Sequence, residues 1–79
     1  MKLIKAKIGG KYRVNIINLE KELSMRLETL GLTNGTFVEI INKKSYGAMV
    51  VKVRGSRFAI GKNIAEGIDV LEEVIWRQN

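Results

Sequence analysis

The sequence predicts a mainly β fold: a small antiparallel sheet bent strongly enough to close on itself, with one α-helix inserted early, at about residues 19–30. Three observations carry that expectation. Apolar and polar residues alternate in several short segments, the period of two that a half-buried strand needs because successive side chains point to opposite faces. Only between Leu19 and Leu30 does the period lengthen to that of a helix. The 79 residues include eight glycines and no proline, so glycine must make the tight turns that separate such short segments.

Ile4, Ala6 and Ile8 alternate with Lys5 and Lys7, which predicts a first strand ended by Gly9-Gly10. Tyr12, Val14 and Ile16 alternate with Arg13 and Asn15 and predict a second. Leu19, Leu23, Leu27 and Leu30 then form one helical stripe, with Glu20, Glu22 and Glu28 off it. Asn18 is placed to cap the start by accepting from first-turn N–H groups, Glu20 and Glu22 suit the positive end of the helix dipole, and Gly31 suits the left-handed closing position. Asn34-Gly35 signals a turn, because both residues tolerate positive φ, and residues 36–42 are rich in β-branched and aromatic side chains. Residues 43–47 make a polar connection, after which Met49, Val51 and Val53 alternate with Val50, Lys52 and Arg54 as the partner of a hairpin. Gly55 marks a bend, residues 57–60 a short extended piece, and residues 63–67 one helical turn. Alternation resumes at residues 68–76. Five or six short strands with an early helix describe an SH3-like barrel.

A chain of this length builds one domain. Area scaling gives about 13,000 Å² unfolded and about 5,000 Å² folded, which allows one small core. Histidine and cysteine are both absent, which excludes Ser-His-Asp and Cys-His catalysis, zinc sites with nitrogen or sulfur ligands, iron–sulfur clusters and disulfides. Carboxylate, lysine, hydroxyl and backbone remain, and no catalytic constellation is made from them. The expectation is a protein that is not an enzyme.

The net charge of +6 is uneven: +5 over residues 1–26, +1 over 27–53, +3 over 54–65 and −3 over 66–79. No run of five basic residues occurs, and the aromatic residues Tyr12, Phe37, Tyr46, Phe58 and Trp76 are scattered rather than clustered for base stacking. The lysines read as the solvated face of a sheet, and no nucleic acid is expected as a partner. The alternative, an SH3-like nucleic-acid-binding or transcription-regulatory module, requires binding that falls steeply with salt. Lysines 2, 5 and 7 interrupt the N-terminal apolar residues, and no apolar stretch approaches 18 residues. A cytoplasmic protein without membrane insertion is expected.

The order of Arg26-Leu27, Leu30-Gly31-Leu32, Gly35, Val38, Ile40, Gly47, Val51, Val53, Gly55-Ser56-Arg57-Phe58-Ala59-Ile60-Gly61, Ala65 and Ile68-Asp69-Val70 resembles the ferrous iron transport protein A (FeoA) family. The resemblance runs over about residues 3–74. Asn34 and Ala48 stand where family members often have proline, and Ile60 where leucine is common; none of these removes a chemical group. The resemblance implies one FeoA-like SH3-like domain over residues 1–79, a free-standing accessory in a bacterial cytoplasm. Its implied partner is a large membrane-embedded ferrous iron transporter with a cytoplasmic GTP-binding domain, through which the chain would become membrane-associated. The C-terminal domain of iron-dependent transcriptional repressors is similar to the same pattern. No P-loop pattern is present, so a GTPase is not expected in this chain.

The resemblance also implies an association with transition metal ions, against which the ligand inventory is thin. Glu72 and Glu73 point to opposite faces of a strand, Glu20 and Glu22 diverge on a helix, and imidazole and thiolate are missing. No cofactor and no dedicated metal site are expected; weak carboxylate binding at the surface is the most that the residues offer. The expected contacts to a partner lie at two places. Met25 and Arg26 sit off the leucine stripe, with Leu32 in the loop after the helix, and an exposed methionine suits an adaptable interface. Arg54-Gly55-Ser56-Arg57 sets two guanidiniums at a backbone turn that suits a carboxylate or phosphate group. Self-association through an open sheet edge is a further expectation, since no proline blocks it.

Overall fold

Period-two runs pair into ladders and the period-four run coils. In the computed structural model, which describes residues 1–76 and the side chains of residues 1–72, a 3₁₀ turn (Leu3–Lys5) precedes β1 (Gly10–Ile17) and α1 (Lys21–Thr29). There follow β2 (Phe37–Lys43), β3 (Met49–Val53), β4 (Ser56–Ile60), the short α2 (Lys62–Gly67) and β5 (Ile68–Trp76). All ladders are antiparallel, in the order β4-β3-β2-β1-β5. The inward row joins Tyr12 and Val14 of β1 to Val38 and Ile40 of β2 and to Met49, Val51 and Val53 of β3, all buried. Register shifts in the β1–β5 and β2–β3 ladders bend the sheet around this core as an SH3-like barrel.

The first predicted strand is corrected. Lys5 N–H donates to the Lys2 carbonyl and Ala6 N–H to that of Leu3, both at 2.9 Å, making a 3₁₀ turn. Leu3 and Ala6 are fully buried while Ile8 is 54% exposed. Side chains three apart eclipse in a 3₁₀ turn, so Leu3 and Ala6 enter the core together and the apparent alternation of residues 4, 6 and 8 has no structural counterpart. Ahead of the turn, Met1 and Val70 exchange backbone hydrogen bonds of 2.8 and 2.7 Å. Ile16 also departs from expectation. The partner of β1 jumps from Val74 to Val70 between Tyr12 and Val14, then by one residue to Asp69 at Ile16. That irregularity reverses the alternation and turns Ile16 outward.

Helix α1 starts at Lys21, two residues later than expected, and Glu20 flanks it without a side-chain cap. Asn18 instead donates its N–H to the Gly67 carbonyl at 2.7 Å. Of the leucine stripe only Leu27 is buried; Leu19 and Leu23 are half-buried and Leu30 is exposed. A helix laid on the end of a small barrel touches it along a narrow strip, so four leucines do not all find cover. The C-terminus closes as expected: Gly31 has φ +88, its N–H donates to Glu28 O at 2.9 Å, and Leu32 N–H donates to Leu27 O at 2.9 Å. These two bonds make a Schellman motif.

Candidate partner-contact surface

The Schellman motif decides one expected contact residue. Its residue after the closing glycine packs on the helix three positions before the cap, and Leu32 accordingly lies fully buried against the buried Leu27. Leu32 belongs to the core and is withdrawn from the contact surface. Met25 and Arg26 are exposed on α1, Met25 by 54%, and share a shallow depression with Glu22 and Thr29.

The hairpin between β3 and β4 turns through only two residues. Arg54 and Gly55 both take positive φ, +51 and +85, as a type I′ turn requires. Arg54 therefore occupies the turn itself rather than flanking it. Its side chain folds back over the end of α1, where a β-carbon on Gly31 would meet Arg54 Cδ at 3.0 Å. The hairpin tip and the helix end are thereby one surface. Ser56 and Arg57 begin β4 and are exposed.

Strand register brings in residues that sequence alone did not single out. Lys11 pairs with Glu39, Glu39 with Lys52 and Lys52 with Arg57, a charged row across the outer face of four strands. Beside it, the Arg13 guanidinium stands 5.0 Å from the centroid of Phe37. Lys11, Phe37, Glu39, Lys52 and Arg54 line a groove of about 350 Å³. Pairing between strands far apart in the chain aligns these side chains.

Elsewhere, Asp69 accepts from Asn15 Nδ2 at 3.1 Å and lies 3.3 Å from the N-terminal ammonium. The Asn15 hydrogen bond and the ammonium hold its carboxyl below the usual aspartate range, against a smaller opposing effect of desolvation. Among the described residues, no three acidic side chains converge to hold a metal ion. Among them, too, no helix is long and apolar enough to cross a membrane.

The bent five-stranded sheet with its early helix defines a small SH3-like barrel whose outer face carries a mixed row of basic and acidic residues. Residues 1–72 match the FeoA domain family, and the chain belongs to that family. The solution structure of FeoA from Chlorobium tepidum is 31% identical, covering 89% of this chain and 68% of that one, with a TM-score of 0.82. A crystal structure of an iron uptake regulatory protein, also FeoA, is 30% identical over 89% of this chain and 93% of that one, with a TM-score of 0.81. FeoA from Stenotrophomonas maltophilia, complexed with zinc, is 25% identical, covering 89% of this chain and 88% of that one, with a TM-score of 0.73. That protein is described as an SH3 domain protein and a candidate ferrous iron transport activating factor. No curated protein matches the chain.

Proposed function

We propose that this chain is a non-enzymatic cytoplasmic accessory of ferrous iron uptake that acts by binding the membrane-embedded, GTP-binding ferrous iron transporter. The observation that carries the reading is the FeoA match over residues 1–72. It is supported by the iron uptake regulatory description of one structural neighbour and the activating-factor description of another. The absence of histidine and cysteine agrees with a role exerted through a partner, since the chain lacks the side chains that most often hold iron. The residues offered for contact are Met25 and Arg26 on α1 and Arg54, Ser56 and Arg57 on the β3–β4 hairpin, all exposed. Affinity purification of the tagged chain from detergent-solubilised membranes of iron-limited bacteria tests it. Recovery of a GTP-binding iron transporter is expected; its absence, with the bait soluble and folded, overturns the reading.

A further inference from the structure

Among the described residues β4 is an edge of the sheet, paired with β3 alone. The two-residue turn makes Val53 and Ser56 a hydrogen-bonded pair, and antiparallel pairs alternate. Lys52–Arg57 and Val50–Ala59 are therefore the non-hydrogen-bonded pairs, and the N–H and C=O of Arg57 and Ala59 face away from the sheet. Both residues are exposed. The edge is thus a row of two donors and two acceptors at the spacing that an added strand uses.

The charge around that row selects its occupant. Residues 52–62 hold Lys52, Arg54, Arg57 and Lys62 and no acid; Glu39, opposite Lys52, lies on β2, two strands in from the edge. A second copy pairing antiparallel through its own β4 would bring two such sets together, and edge cations of this kind oppose self-pairing. An acidic strand meets the opposite field.

We infer that the β4 edge binds an extended acidic segment of a partner protein by antiparallel β-strand addition, with Asp or Glu at alternate positions on the face that bears Arg57. Residues paired across a ladder share a face. The partner's residues opposite Arg57 and Ala59 are therefore both its acidic residues and the ones whose backbone bonds to β4. The intervening residues face inward beside Phe58, which is half-buried against the core, and suit a β-branched side chain. The inference rests on the reading that the chain works through a protein partner, but its test uses purified chain and peptide alone, so its failure leaves the membrane co-purification result standing.

The probe is a fluorescein-labelled peptide of about eight residues, glutamate alternating with valine, titrated by fluorescence anisotropy at low salt. Binding is expected to weaken by about tenfold or more in Arg57→Glu. It is expected to be lost when the peptide is N-methylated on its glutamate nitrogens and kept when methylated on its valine nitrogens. Ala59→Pro removes an outward donor without touching the β3 ladder and is expected to weaken binding while leaving the thermal midpoint close to that of the parent. The methylated peptides decide the matter should that variant fail to fold. Equal binding of both methylated peptides, or of an oligothymidylate with no sensitivity to Ala59→Pro, would mean bulk charge attraction and overturn the inference. So would failure of the parent chain to bind the peptide, or a β4-dependent dimer in light scattering that Ala59→Pro abolishes.

Discussion

Leu32 and Met25 look alike in sequence, two apolar side chains near the end of one helix, yet the first is fully buried and the second is 54% exposed. Leu32→Ala is expected to cost about 2–5 kcal/mol through the cavity it leaves, whereas Met25→Ala should stay within about 0.5 kcal/mol. Urea denaturation of the two variants separates them. Gly31 closes α1 at φ +88 with Arg54 Cδ where a β-carbon would press. Gly31→Ala should therefore lose about 1–2 kcal/mol from the left-handed backbone alone, read as a lower thermal midpoint. Asp69 carries a pH dependence. Its folded pKa lies below the ordinary 3.8, so folding favours the ionised form. That contribution is complete above the unfolded value and is lost as pH falls through the folded one. Urea midpoints measured from about pH 6 down to pH 3 should fall for the parent and fall less for Asp69→Asn.

At the scale of elements, α1 contributes one buried residue to the core, Leu27, and an isolated helix of nine residues is marginal in water. Its closing motif and the buried Leu27 hold it, with Leu23 and Ser24 half-buried, while Met25 and Arg26 stand exposed. Met25→Glu should accordingly leave the melt within about 0.5 kcal/mol of the parent while reducing recovery of the transporter in co-purification. Unchanged recovery would place the contact elsewhere. β3 was legible because it keeps its alternation: Met49, Val51 and Val53 all point inward as expected; residues 73–76 of the expected alternation over 68–76 lie outside the residues whose side chains are described. The N-terminal segment was not legible, because Leu3 and Ala6, three apart, were the buried pair, and the alternation of residues 4, 6 and 8 ran across them.

For the whole molecule, the net charge of +6 is arranged around a mixed row in which Glu39 lies between Lys11 and Lys52, rather than as an unbroken basic stripe. Duplex DNA or RNA binding is therefore expected to vanish by about 150 mM salt, since few phosphates can be neutralised at once. Persistent binding at that salt, measured by gel shift, would favour a nucleic-acid module instead. Of the six residues expected at a partner contact, the structure buries Leu32 and leaves the other five exposed. Met25, Arg26, Arg54, Ser56 and Arg57 stand exposed, but the joining of hairpin tip to helix end through Arg54 and Gly31 has no signature in the chain order.

Local periodicity and the placement of glycines were enough to make a mainly β barrel with one early helix legible, because those properties depend on neighbours within a few residues. Folding settled which apolar residues became core and which charged residues became neighbours. Leu32 went inward because the Schellman turn aimed it at Leu27, and Ile16 outward because the β1–β5 ladder slips at a bulge. Lys11, Glu39, Lys52 and Arg57 came into one row through register between strands far apart in the chain. Long-range pairing sets these outcomes, and a reading that runs along the chain carries no term for it.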